Sequence, residues 1–453
     1  PAGGGTIVPV GPDASGAFDR STIHPDKDNF APRFGFAYHM LPAVVWQGGV
    51  GMYYNHRARQ GSESMLDLNP PWLINGDLSQ SLGSSTPVFQ LSNGFPISQF
   101  SNPPLSALQI RAQDPNEQEP DVTDASFGPE IRLTQNTVLD FTGIGTWARH
   151  ENRLRDANQG QITGYTASGE PIVTFPYANL NTVLSGPEAG AQGQHAFLEL
   201  ATNDGNTDYA AFATTMRREY QNGFAYSLSY TYSHGLSNDV GNLTGGAEPI
   251  NSYNYNLEMG NSPFDVTHRV TGYAIYDLPF GNGRRFLHNM TGTAQAILGG
   301  WQANAIVSFQ TGVPFSVGGA NDQTFTAGAG GNRPDCSGNF YTGTTTDPSQ
   351  LWIGGTGRFL NLASFSQPGL GQFGTCAPRM FHGPGIENTD FSLFKNIALG
   401  ETRRVELRAE FFNLFNHPNF ANPDGNIQDP SFGQISGLTT DPREIQLAAK
   451  FYF

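Results

Sequence analysis

The chain has 453 residues, a net charge of −15, and only 14% Asp, Glu, Lys and Arg, against roughly 25% in ordinary soluble domains. Its three lysines, Lys27, Lys395 and Lys450, make no basic stripe, which excludes nucleic acid as a partner. No apolar run approaches the roughly 18 residues of a membrane helix, but strands that cross a membrane alternate apolar and polar residues and leave no such run.

Pro1 to Asp28 reads as a Gly/Pro/Asp-rich loop. The first predicted strand is Asn29 to His39, with Phe34, Phe36 and Tyr38 on one face. Pro42 marks a tight turn into a second strand, Val44 to Tyr54, whose glycines point to close backbone approach or bending. A segment dense in Ser, Asn, Pro and Gln follows to about Pro120. Asp121 to Thr134 and Thr137 to Trp147 pair through Gln135-Asn136, and a second polar segment runs from Ala148 to Thr207.

The clearest hairpin joins Asp208–Glu219 to Phe224–His234 through Asn222-Gly223, a pair suited to the positive φ of a tight turn. In its second strand Phe224, Tyr226, Leu228, Tyr230 and Tyr232 share one face, and Ala225, Ser227, Ser229, Thr231 and Ser233 the other. Small hydroxyl residues suit a hydrated interior better than a packed core. Phe264 to Phe280 and Trp301 to Val317 are the next strands, linked by Gly281 to Gly300. The longest loop, Gly318 to Glu387, holds both cysteines, Cys336 and Cys376. Asn388–Asn396 and Arg403–Leu414 follow, the latter with Val405, Leu407, Ala409 and Phe411 opposite Arg404, Glu406, Arg408 and Glu410.

After a last loop, Phe415 to Pro442, the chain ends in REIQLAAKFYF. Ile445, Leu447, Ala449, Phe451 and Phe453 fall on one face, and mostly polar residues on the other. A soluble sandwich uses the same alternation, but gives no reason to stop on an aromatic residue. Connections also alternate strictly between short and long, as they do in outer-membrane barrels with short periplasmic turns and long extracellular loops. The expected fold is therefore all-β: an antiparallel transmembrane barrel, with about ten strands present as an open or partial barrel.

The phrases NFAPRFGFAY, FDVTHRVTGYAIYDLPFGNGRRF, GGWQANAIVSFQTGVPFSV and RVELRAEFFNLFNHPNF, with the terminal IQLAAKFYF, resemble the C-terminal barrel of TonB-dependent receptors. The likeness is greatest to the Oar-like subgroup, which carries a carboxypeptidase-regulatory-like domain ahead of its plug. It covers most of the chain and is strongest from Asp208 onward.

The resemblance implies a Gram-negative outer-membrane location and contact with membrane lipid. It further implies TonB-driven uptake of a scarce small molecule, peptide or oligosaccharide. All of 1–453 reads as barrel, with plug, regulatory-like domain and TonB box expected N-terminal to Pro1. Ile445, Leu447, Ala449, Phe451 and Phe453 resemble the signal read by the outer-membrane assembly machinery. A non-transporting adhesion barrel is the alternative, and a secreted all-β carbohydrate-binding protein a third reading. Export through an oxidising compartment leads to an expected Cys336–Cys376 disulfide.

No catalytic centre, cofactor or resident metal is expected. Asp265 and His268 lie three apart, on opposite faces of a strand. His150-Glu151 lacks the second His of a zinc-protease helix. Asn203–Asp208 and Asp424–Asn426 resemble calcium-loop fragments without the closing Glu, and read as turns. Thr326–Asn332 is Gly-rich with no helix to follow it. Trp46, Tyr53, Tyr54, Trp147 and Trp301 stand near strand ends, either to stack on sugars or, more commonly, to anchor at a membrane interface.

Overall fold

A computed structural model describes residues 24, 26–55, 110–116, 118–178, 198–238, 249–326, 332–342, 348–400 and 402–453, with single positions at 87, 90, 92 and 94. Most of the predicted loops at 1–28 and 55–120 lies outside the described residues, as do 327–331 of the Gly-rich stretch.

Eleven strands form the continuous path of a thirteen-stranded sheet, each next to its neighbours along that path, and two short strands, Ile110–Gln113 and Gly260–Asn261, pair at its margin. The eleven are β1 Arg33–Leu41, β2 Val44–Tyr54, β3 Asp121–Thr134, β4 Thr137–Asp156, β5 Leu198–Gln221 and β6 Phe224–Ser237. β7 His268–Asp277, β8 Trp301–Gln310, β9 Ile386–Ala398, β10 Arg404–Phe412 and β11 Glu444–Tyr452 complete it. Every consecutive pair is antiparallel. Short turns lie at one end of the sheet and long segments at the other. Among the described residues β1 pairs only with β2, and β11 only with β10, so the sheet is open at both edges.

The register decides which residues share a face. Phe224, Tyr276, Ala303, Leu393, Ala409 and Leu447 form one cross-strand row from β6 to β11. Phe36, Gly48, Phe127, Gly143 and Phe212 form another, in which glycine alternates with phenylalanine. A Cβ at Gly48 would stand 3.1 Å from Phe36 and 3.2 Å from Phe127, so the glycine makes room for the two rings that flank it. Their centroids are 6.1 Å apart. The opposite face carries a row of another kind: Glu130, Asp140, Thr215, Ser229, Thr271, Ser308 and Asn388, polar across seven strands.

Several predicted boundaries move. β4 and β5 run to Asp156 and back from Leu198, so Ala148–Thr207 is in part a continued strand pair rather than a polar loop. A membrane crossing needs only about ten residues; beyond it Arg153, Leu154, Asp156, Glu199, Ala201 and Thr202 are buried, and with no lipid on one side the strands have no reason to alternate. The Asn203–Asp208 fragment accordingly lies within β5 and is not a turn. β7 starts at His268 rather than Phe264, because Asp265 N–H turns back to Ser262 O at 2.9 Å. β8 ends at Gln310 rather than Val317, because Gly312 passes against Gly383 O, where a Cβ would stand at 1.8 Å, and Pro314 has no N–H for the ladder. The Gly281–Gly300 link contains a helix, α1, at Gly292–Leu298. Asn222 and Gly223 take φ of 57° and 77°, as their hairpin requires.

The hydrophobic core sits in the long segments, away from the wall of strands. Phe315, Val317, Leu360, Phe365, Cys376, Phe381 and Phe432 pack together as a cluster. Phe381 is its centre, with the rings of Phe315, Phe340 and Phe365 within 6.0 Å. Short ladders join Pro314–Phe315 to Phe381–His382 and Asp335–Cys336 to Phe365–Ser366. The last long segment closes on it through Gly318 N–H to Gly425 O at 2.9 Å and Phe359 N–H to Gly433 O at 2.7 Å. Each buried Phe contributes about 1.5–3 kcal/mol, while each ordered residue loses roughly 1–2 kcal/mol of backbone entropy. The cluster therefore needs additional anchors to the sheet, and the structure supplies them.

Candidate ligand-facing surface and loop cap

The polar face of the sheet is a network of side chains reaching between strands. Gln47 donates to Asp140 at 3.3 Å, Thr146 to Asp124 at 2.7 Å, and Arg217 meets Glu130 at 2.8 Å. Thr215 and Ser229 share a hydrogen bond at 2.9 Å. On β10 Arg408 donates to Glu406 at 2.5 Å, while the Arg404 guanidinium lies over Tyr452 at 4.1 Å. Of the opposite charges predicted side by side on this strand, Arg408 and Glu406 pair. At the short-turn end Asp277 accepts from Tyr220, Arg284 and Gln302 at 2.6–2.8 Å, tying the β5–β6 turn, the Gly281–Gly300 link and β8 to one carboxylate.

At the other end the anchor is Asp265, whose side chain is fully buried. Gly235 N–H donates to Oδ1 at 2.8 Å, His234 Nδ1 stands 3.4 Å from the same oxygen, and His382 Nε2 lies 3.2 Å from Oδ2. One carboxylate thus holds the end of β6 and the cap strand Phe381–His382 together. His268 is not its partner; it sits by Tyr230 Oη at 2.9 Å. The predicted separation of Asp265 from His268 holds, yet the strand geometry behind it does not apply to Asp265. Spacing along the chain had no means of reporting His382, 117 residues away.

Arg379 adds a second tie, donating to Asn261 O at 2.5 Å and Ser237 O at 2.8 Å. Arg333 is a third. It lies buried against Glu258 at 3.4 Å and donates to Leu257 O at 2.7 Å. Burial pushes its guanidinium down, and the Glu258 carboxylate opposes that shift.

The remaining sequence candidates separate cleanly. His150 bonds Asp121 at 2.6 Å, and Glu151 accepts from Thr207 at 2.6 Å. Asp424 caps its own turn, accepting from Asn426 N–H at 2.9 Å and Ser431 Oγ at 2.6 Å. Among the described residues no three His, Cys, Asp or Glu side chains gather as metal ligands. Trp46, Tyr54, Trp147 and Trp301 fall on the apolar face by register, while Tyr53 is on the polar face under Arg33. Cys336 and Cys376 are brought together in the cap, with Cα atoms 5.2 Å apart, within the reach of a disulfide. Ile445, Leu447, Ala449 and Phe451 line up opposite Phe411, Ala409, Leu407 and Val405, and the Phe451 and Phe453 rings stack at 6.1 Å.

A two-faced antiparallel sheet with short turns at one end has a counterpart among known families. The family model described as outer membrane beta barrel domain matches residues 3–446. The chain belongs to that outer-membrane β-barrel family. In this barrel the apolar face meets lipid and the polar face lines the interior. A search of curated proteins finds no match.

Among solved structures it is similar to the outer membrane transporter YddB from Escherichia coli, at 8% identity and a TM-score of 0.44, covering 91% of this chain and 39% of that one. It is also similar to the FrpB iron transporter from Neisseria meningitidis, at 10% identity and 0.41, covering 94% and 39%. A third is the ferripyoverdine receptor of the outer membrane of Pseudomonas aeruginosa, at 8% and 0.40, covering 94% and 33%. The chain spans two-fifths or less of the length of these structures.

Replacing Asp265 by Ala strands a buried peptide N–H and frees the cap strand, at a cost of about 1–3 kcal/mol. The expected result is faster hydrogen exchange at Gly235 and His382, with protection of β7–β9 unchanged. Asp265→Asn, which keeps an acceptor, should lie between the two. Equal exchange in all three proteins would remove Asp265 as the anchor.

Proposed function

We propose that the chain forms the C-terminal part of the barrel of a TonB-dependent receptor, of the Oar-like subgroup, that takes up a scarce nutrient across the outer membrane. The observation that carries this reading is the polar row from Glu130 to Asn388. Carboxylates, hydroxyls and amides running across seven strands favour a hydrated interior, and barrel diameter grows with strand number. Hydrocarbon cannot satisfy the open ladders of β1 and β11; further strands of the parent barrel do so in this reading. Plug, regulatory-like domain and TonB box belong to the N-terminal part of the same protein. The cap held by Asp265 stands over the interior at the extracellular end, where first capture of a ligand takes place.

Ligand class is tested by growth. A deletion strain grown on single limiting nutrients, from ferric siderophores to oligosaccharides, peptides and vitamins, should fail on one class. Loss of TonB should reproduce that failure and add nothing to it. Normal growth on all of them, with lost surface attachment, would replace this reading with an adhesion barrel.

We also propose that Ile445, Leu447, Ala449, Phe451 and Phe453 form the assembly signal. A charge on the lipid face costs about 2–4 kcal/mol at midplane and less near the interface. Loss of recognition should therefore outweigh transfer energy in the Phe451→Asp/Phe453→Asp variant. Surface levels should fall to background, with the protein degraded in the periplasm; wild-type levels would end the idea.

The paired Cys336 and Cys376 are proposed as a disulfide closing a 40-residue separation within the cap. Maleimide should label neither cysteine in the intact unfolded protein and both after reduction. Two reactive thiols without reduction would refute the bridge.

A further inference from the structure

On the lipid face at the short-turn end lies a groove of about 710 Å³, within the range of about 300–1,000 Å³ typical of small-molecule sites. Its wall is Ile297 of α1 and Trp301 at the start of β8. Leu393 and the small residues Ala409 and Ala449 line it across the strands, and Lys395 stands between Leu393 and Ile397 on β9.

The groove exists because α1 folds back over the outside of the sheet. Trp301 Nε1–H donates to Ile297 O at 2.9 Å, fixing the last turn of the helix beside the strands. Cross-strand register puts Ala409 opposite Leu393 and Leu447, and Leu407 opposite Lys395 and Ala449. The groove therefore runs over several strands of the lipid face.

Lys395 is the unusual member. On β9 it faces lipid, directly opposite Trp301, where neighbouring strands place leucine and alanine. It is 5% exposed, its Nζ donates to Gly299 O, and it stands 5.2 Å from the Trp301 ring. An ammonium has three N–H groups, and Gly299 accepts one of them. A charge facing lipid is costly in the hydrocarbon and tolerated at the interface, where lysines reach toward headgroups and tryptophans settle. Exposed Phe280, Phe286, Leu287, Ile297 and Leu298 in the same link mark that depth.

We propose that this groove binds one phospholipid of the leaflet at the short-turn end, the periplasmic one under the reading above. An acyl chain lies between α1 and the strands at Ala409 and Ala449, and its phosphate sits on Lys395. Charge complementarity selects this occupant. A second copy of the chain would have to bring an anionic group into an apolar groove, whereas a phospholipid joins anion and hydrocarbon in one molecule. The inference rests on membrane location and face, and transport plays no part in it.

Native mass spectrometry of the full chain, released from detergent and titrated with dioleoyl phosphatidylglycerol, tests it. One lipid should survive detergent removal. Lys395→Gln should weaken retention about tenfold, the worth of one charge-assisted hydrogen bond. Ala409→Leu with Ala449→Leu should fill the groove and abolish retention, while Ala274→Leu, on the lipid face of β7, should leave it unchanged. Dioleoylglycerol, which lacks the phosphate, should bind wild type and Lys395→Gln alike and weakly. A wild-type protein with no retained lipid overturns the proposal whatever the variants do. Equal retention in wild type and Lys395→Gln does so too, and a lipid-free dimer would assign the groove to a second copy.

Discussion

A polypeptide in hydrocarbon has no water to satisfy its peptide groups, so each must find a partner in the protein. The eleven-strand antiparallel ladder follows from that constraint. Its pairings hold a single register from β1 to β11, with irregularities at a few turns and in the outer parts of β4 and β5. Because side chains alternate along every strand, one register gives the whole sheet two faces, with aromatic and aliphatic residues on one and carboxylates and hydroxyls on the other. A slip of one residue would turn the polar face of a strand toward lipid.

A wall one strand thick has no interior of its own. Its apolar side chains pack against membrane, and the buried hydrophobic cluster lies instead among the long segments beyond the strands. The molecule thus has two modules stabilised in different ways: the sheet by its ladder and by lipid, the cap by phenylalanine packing. Asp265 and Arg379 join them through ties to β6, to Asn261 of the two-residue strand Gly260–Asn261 that pairs with β6, and to the cap. An anchored cap keeps a defined surface at the long-segment end of the sheet, which long loops without a core would not.

Strand content and facing were legible because they depend on neighbours in the chain. The alternation in Phe224–His234 and in the last eleven residues points to one apolar face, and the register puts Phe224, Leu393, Ala409 and Leu447 on the same side of the sheet. The Arg/Glu strand was read correctly for the same reason. Polar residues of β4 and β5 read as loop because, with no lipid beside them, neither face has to be apolar and the alternation disappears. The cap did leave a signal in the sequence, because a solvated loop has no use for the seven phenylalanines from Phe315 to Phe381.

Local pattern therefore determined, before any coordinates, that this is an antiparallel membrane barrel chain with a hydrated face, short turns at one end and an aromatic terminus. Those features arise from a two-residue repeat and from turn chemistry, both written in adjacent residues. Tertiary structure alone decided that Asp265 belongs with His382 rather than His268, and that Cys336 and Cys376 meet. It alone decided that α1 folds back to wall a groove around Lys395. Each of these joins residues brought together by the course of the backbone between them, and no spacing along the chain encodes that course.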